Sequence, residues 1–327
     1  MQPLAVPRPT GALPARFRRA RLLIVGCGDV GLRVVRALQG EGAGAGQGRA
    51  SATGAPRLRV LALTSTPARV GELRAQGITP LCGNLDAPAT LRRLAGLATH
   101  VLHLAPPPAE GGAAAWWSDP RTEALVRVLR LRTRPRALVY ASTSGVYGDC
   151  AGAWVRETRP LAPLTARAQR RANAERAVRH LGSAGVRTSI LRIPGIYAPD
   201  RAGGTPEARL RKGTPALAPQ DDVFTNHIHA DDLARACLAA LWRGRPQRAY
   251  HVCDLQPMKM GDYFDLAADL YGLPRPPRLA RSAAQAQLPP LLLSFMSESR
   301  RLDNHRLLHE LRLRLRYPTV AEGLRAG

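Results

Sequence analysis

The stretch Leu22-Leu23-Ile24-Val25-Gly26-Cys27-Gly28-Asp29-Val30-Gly31 constrains this chain more than any other. Four consecutive apolar residues, Leu22 to Val25, suit a strand buried on both faces, and Gly26, Gly28 and Gly31 follow at the G-x-G-x-x-G spacing. Leu32, Val35 and Leu38, with Val34 beside them, share one helical face, so a helix begins where the glycines end. In such a turn the first glycine permits the sharp reversal, the second lets the backbone approach a pyrophosphate, and the third lets helix and strand pack closely. The helix start then presents free N–H groups and the positive end of its dipole to an anion. A dinucleotide site on Gly26, Gly28, Asp29, Val30 and Gly31 is expected.

The rest of the chain alternates strand and helix signals. Apolar runs at Leu58 to Leu63, Val101 to Ala105, Ala137 to Ala141, Ser189 to Ile193 and Ala249 to Cys253 read as buried strands. Leu81 to Asp86, with a helix from Pro88, forms a further unit. Helices are expected near Glu123 to Leu131, at Leu164 to Leu181, and from Asn226-His227-Ile228-His229-Ala230-Asp231-Asp232 to about Trp242. This alternation implies an α/β fold of Rossmann type, a doubly wound parallel sheet covered on both faces. Residues 21–195 and 226–254 are expected to form the dinucleotide-binding domain, and 196–225 with 255–327 a smaller helical lobe on the substrate side. Gly40 to Pro56, rich in Gly, Ala, Ser and Gln, is expected to be a flexible surface insertion. Residues 1–20 are rich in Pro and Arg, lack acids and are expected to form a disordered basic tail.

The second strand ends in Thr64-Ser65-Thr66-Pro67-Ala68-Arg69, without the Asp or Glu that bonds a ribose 2′-hydroxyl in NAD-specific sites. Small hydroxyl residues Thr64 and Ser65 followed by Arg69 accommodate a 2′-phosphate instead. NADP is therefore expected ahead of NAD.

Formal net charge is +24, from 48 basic and 24 acidic residues, and only Lys212 and Lys259 are lysines. Such a field favours anionic ligands. A nucleic-acid partner is not expected, because no long basic run is interleaved with aromatic residues; Arg312, Arg314 and Arg316 merely alternate with leucines. The five cysteines are scattered without paired spacing, so they read as reduced core thiols and no metal site is expected. Arg18-Arg19 precedes an apolar run, but that run carries the nucleotide glycines and lacks an export cleavage site. No stretch has the length of a membrane span. A cytoplasmic protein without membrane attachment is expected.

Ligands of an open α/β sheet bind beyond the carboxyl ends of its strands. Ser142-Thr143-Ser144-Gly145-Val146-Tyr147-Gly148 follows the strand at Ala137 to Ala141, so three hydroxyls and a phenol meet on a ligand-facing loop.

These landmarks together give the chain a family resemblance. The glycine turn, His103-Leu104-Ala105, Ser142 to Gly148, Arg192-Ile193-Pro194-Gly195-Ile196-Tyr197 and His229-Ala230-Asp231-Asp232-Leu233-Ala234 resemble an extended or atypical short-chain dehydrogenase/reductase of the NAD-dependent epimerase/dehydratase group. The resemblance covers nearly everything from Leu22 onward. Most extended members carry G-x-x-G-x-x-G where this chain has G-x-G-x-x-G, which points to an atypical branch.

The resemblance implies that Thr143 orients a substrate hydroxyl or carbonyl, with Ser144, Arg192, Tyr197 and Arg201 on the substrate side and the two arginines facing a pyrophosphate. It adds Asn84, Leu104, Ala105 and Arg171 to the cofactor contacts. The family's proton-transferring Tyr stands four residues before a ribose-holding Lys. Counting back from Glu175 in Ala172-Asn173-Ala174-Glu175, those positions hold Arg167 and Arg171. A guanidinium does not exchange its proton near neutral pH. Tyr147 is then the expected proton donor.

Two readings follow. One is an NADP-dependent reductase, epimerase or dehydratase acting on a small anionic substrate such as a nucleotide-sugar. The other is a catalytically lapsed NADP-binding sensor or scaffold. Family dimers use helices like Glu123 to Leu131 and Leu164 to Leu181; the second is so basic here that a monomer competes with the homodimer.

Overall fold

The computed structural model describes residues 20–40, 58–109 and 115–326. Most of the basic tail and of the 40–56 insertion lies outside the described residues. Seven strands form one parallel sheet: β1 (Arg21–Val25), β2 (Arg59–Thr64), β3 (Thr79–Cys82), β4 (His100–His103), β5 (Ala137–Thr143), β6 (Arg187–Ile193) and β7 (Arg248–His251), in the order β7-β6-β5-β4-β1-β2-β3. The central strands follow from their apolar runs: Leu22, Leu23, Ile24 and Val25 are all completely buried, alternate residues packing on opposite faces, whereas the edge strand β3 is only partly buried.

Helices α1 (Asp29–Gln39) and α5 (Ala230–Arg243) cover one face, and α3 (Pro120–Leu129) and α4 (Ala166–Ser183) cover the other. A short α2 (Arg69–Ala75) links β2 to β3. Local chemistry sets the helix starts. Asp119 accepts the Thr122 N–H at 3.1 Å to cap α3, and the Thr165 hydroxyl accepts the Ala168 N–H at 3.2 Å to cap α4.

The helix expected from Pro88 is a 3₁₀ helix, Pro88–Leu94. One local expectation is corrected. His227–His229 is a short strand paired in parallel with Gly195–Tyr197, so α5 begins only at Ala230. A further apolar cluster joins Tyr197, Leu210, Leu217 and Val223 to Phe264 of α6 (Met260–Tyr271) and to Val320 and Leu324. No described helix is long and apolar enough to cross a membrane, and no described cluster of His, Cys, Asp and Glu has the form of a metal site.

Strand order reverses between β1 and β4, whose neighbouring ends Val25 and His103 are in register. The crevice that opens there is where a doubly wound sheet receives its ligand.

Candidate functional site

The glycine turn forms one wall of this crevice. Gly26 takes φ +86°, and a Cβ there would lie 2.4 Å from the Ala105 backbone nitrogen. That close approach has a cause: the N–H groups of Leu104 and Ala105 both donate to the Val25 carbonyl, at 2.8 and 3.0 Å. Gly28, by contrast, has nothing within 4 Å of its Cβ position. It caps α1 without any side-chain bond, so the N–H groups of Asp29, Val30 and Gly31 open the helix beside an empty cradle. A Cβ at Gly31 would meet the Cys27 sulfur at 3.2 Å, which accounts for the third glycine by packing.

Arg69 reaches this turn from the start of α2. Its Nη1 donates to the Cys27 carbonyl at 2.9 Å, while Nε and Nη2 engage Glu72. Ser65 is exposed beside it. Thr64 does not share that wall: it is buried, and its hydroxyl is spent within the turn on the Thr66 N–H and carbonyl. Asn84 is exposed at the end of β3, with its Oδ1 accepting the Asp86 N–H at 3.0 Å. Asp86 and Arg121 form a two-point ion pair, both bonds 2.6 Å, that bridges this loop to α3. The pairing holds the Asp86 carboxyl below its ordinary pKa.

Across the crevice, Thr143 ends β5 half-buried, and its hydroxyl accepts the Gly145 N–H at 3.2 Å. Ser144 is buried beside it. The first turn of α4 abuts this loop, because a Cβ on Gly145 would lie 3.8 Å from that of Ala168. Arg167, beside Ala168 in that turn, is exposed, and Arg171 one turn on is partly buried. Arg171 donates through Nη1 to the Ala141 carbonyl at 2.6 Å and to the Tyr140 hydroxyl at 3.2 Å.

The structure corrects three of the expected chemical residues. Tyr147 is 1% exposed; its hydroxyl contacts His251 Nε2 at 2.6 Å and accepts from Arg192 Nη1 at 2.5 Å. His251 Nδ1 meets the Asp303 carbonyl at 2.8 Å, which makes Nδ1 the protonated nitrogen and leaves Nε2 to accept the phenol proton. Burial pushes the Tyr147 phenol up to about 12, against the pull of Arg192. This is an interior phenol, remote in pKa from neutral-pH proton transfer.

Arg192 does not face a ligand pyrophosphate either. It is 2% exposed and held by Glu175 through bonds of 3.1 and 2.8 Å, with the Ser142 hydroxyl donating to the same carboxylate at 2.7 Å. Tyr197 is buried, donates its hydroxyl to the Thr319 carbonyl at 3.2 Å and stands edge-on to His227 and His229. Arg201 lies at the first turn of α1, with Nε 3.6 Å from Asp29 Oδ2.

Sequence reasoning missed the partner of that turn, Arg33. Its buried guanidinium binds Asp29 at 3.0 Å, Asp200 at 2.6 Å and Asp231 at 2.5 Å, tying α1 to α5 and to the loop after Gly195–Tyr197. Only the Asp29 to Arg33 spacing was a local signal. Also missed was a buried chain beneath the crevice: Asp119 accepts the Thr122 hydroxyl at 2.6 Å, and Thr122 meets His103 Nε2 at 2.8 Å. Burial pushes His103 down to about 3, so it is neutral.

The sequence profile of the NAD dependent epimerase/dehydratase family matches residues 22–253. Among solved structures, a functionally unknown conserved protein from Silicibacter pomeroyi is 30% identical, with a TM-score of 0.70 over 94% of this chain and 97% of that one. The UDP-glucuronic acid 4-epimerase of Bacillus cereus, in complex with NAD, is 17% identical, with a TM-score of 0.69 over 94% and 96% of the two chains. A human epimerase family protein with NADPH is 16% identical, with a TM-score of 0.71 over 94% and 98%. No protein with a curated description matches the sequence. With a profile match spanning the glycine turn and all seven strands, the chain belongs to the NAD dependent epimerase/dehydratase family.

Proposed function

We propose that this chain binds NADP(H) in the crevice between β1 and β4 and acts, as a reductase, epimerase or dehydratase, on a small anionic carbonyl or hydroxyl compound. The observation that carries the reading is the open space at Gly28, between the Gly26 turn that closes on Ala105 and the Cys27 carbonyl that Arg69 holds. The residues fit the cofactor: Gly28, Asp29, Val30 and Gly31 offer N–H groups to a pyrophosphate, Ser65 and Arg69 flank a 2′-phosphate, and Asn84, Leu104 and Ala105 border the rest. A bound nicotinamide supplies or accepts the hydride. Thr143 orients the reacting oxygen through its hydroxyl, and Arg171 takes the place of the family's ribose-holding lysine.

Arg167 and Arg171 in the first turns of α4 and the formal net charge of +24 favour an anionic substrate. Nucleotide-sugars are one such class, and the neighbouring structures include a protein in complex with UDP-glucose and NAD. The family's tyrosine position holds Arg167 and Tyr147 is buried with its phenol pushed up, so the proton comes from solvent or substrate.

That same shortage favours a second reading, a cofactor-binding sensor without turnover. Consumption of NADPH, which reports a reductase, together with chromatography of the substrates for isomerised or dehydrated product, which reports the redox-neutral epimerase and dehydratase, separates the two over a panel of nucleotide-sugars and small carbonyl compounds. Turnover that Thr143→Val lowers at least tenfold in kcat supports the enzyme; NADPH binding without turnover on any substrate supports the sensor.

A further inference from the structure

On the α1/α5 face, a groove of about 1030 Å³ runs between the end of α1, α5 and the segment Arg312 to Arg316. Its lining is dominated by arginine. Arg33 and Arg235 are neutralised by aspartates, but among the described residues Arg36, Arg243, Arg312, Arg314 and Arg316 form no ion pair. The three last arginines are there for a packing reason: Leu311 and Leu313 are buried in the core and Leu315 packs against it, so the alternating residues turn outward. Arg312 takes a left-handed φ of +51°, so the segment is not a regular strand, but Arg312, Arg314 and Arg316 all line the groove and are exposed.

The groove also holds the aromatic partner that the linear sequence lacks. Trp242, at the end of α5, is 46% exposed and stacks one face on His100, ring centroids 4.9 Å apart and 21° from parallel. Its position in the lining places an indole beside the arginine row.

We propose that this groove binds single-stranded nucleic acid, the arginines following the phosphates and Trp242 stacking a base. Charge complementarity selects a polyanion, and the indole selects one that carries bases. The groove extends from Gly40, about 16 Å along the 11-residue α1 from Gly28, to Arg33 and Asp231, whose ion pairs hold Asp29 at the start of that helix.

The test is fluorescence anisotropy with a labelled oligouridine of about twelve nucleotides, at two salt concentrations. The triple variant R312S/R314S/R316S is expected to bind at least tenfold more weakly and to lose roughly 2 from the slope of log affinity against log salt. Trp242→Ala is expected to weaken binding several-fold. The control R92S/R93S/R127S removes the same charge from the opposite face of the sheet and is expected to change affinity less than twofold. Circular dichroism melts verify that each variant is folded. Absence of oligouridine binding, or equal weakening by the two triple variants, would overturn the proposal. So would inorganic polyphosphate competing as well as the oligonucleotide while Trp242→Ala has no effect.

Discussion

Arg192 and Tyr147 sit on motifs that suggest chemistry, yet their surroundings make them architecture. Arg192 carries its charge into the interior, where among the described residues Glu175 is its ion-pair partner. Glu175→Ala would leave that guanidinium buried without a counter-charge, and about 3–5 kcal/mol of stability should be lost in urea unfolding. The glycines separate by the same kind of argument. Gly26→Ala forces a Cβ to 2.4 Å from backbone at a left-handed φ, and should cost more than about 2 kcal/mol. Gly28→Ala meets no atom within 4 Å and should leave the unfolding midpoint nearly unchanged. Its added methyl should instead obstruct the pyrophosphate. Equal losses of stability in the two variants would contradict this division of labour.

At the scale of elements, the crevice depends on how α1 is held. Arg33 gathers Asp29 of α1, Asp231 of α5 and Asp200 of the intervening loop on one guanidinium. Hydrogen bonding to Arg33 holds the Asp200 carboxyl below its ordinary pKa. A depressed carboxyl stabilises the fold above its unfolded pKa, and the contribution is lost as pH falls through the folded value. Arg33→Ala should therefore cost about 2 kcal/mol near neutrality and less below about pH 4. Urea midpoints of both proteins across that range check the expectation; a penalty independent of pH would contradict it.

For the whole molecule, three interior histidines set the acid response. Burial pushes His103 and His251 down to about 3 and His227 down to about 4. The unfolded chain binds protons at these sites from about pH 6.5 downward while the folded chain does not, so stability falls on acidification. Asp254 opposes this, since burial raises it to about 8 and its stabilising proton is lost as pH rises. Between about pH 6.5 and 5 the three histidines, joined by His100 and His229, which burial also lowers, outweigh Asp254 and the raised carboxyls of Asp119, Glu157 and Asp222. The urea midpoint should thus decline from pH 7 to pH 5, and a rising midpoint would contradict the assignment.

The same distinction between local and distant causes explains what the sequence could tell. Strands such as Leu22 to Val25 were legible because burial on both faces leaves an unbroken apolar run, and the glycine turn because its spacing is local. The strand His227–His229 was not, since its pairing with Gly195–Tyr197 is made across a long loop. Nor were the fates of Arg192, Tyr147 and Tyr197, because a side chain reads as ligand-facing until its buried partners Glu175, His251 and Thr319 are in place. Trp242 and Arg316 likewise come to line one groove only in the folded chain.

The central claim is that the glycine turn holds a nicotinamide dinucleotide, and calorimetric titration with NADPH and NADH tests it most directly. Saturable binding of one equivalent is expected, tighter for NADPH, weakened at least tenfold by Gly28→Ala, and with its preference for NADPH abolished by Arg69→Glu. Absence of binding by either nucleotide to the folded protein, or binding that Gly28→Ala leaves intact, would contradict it.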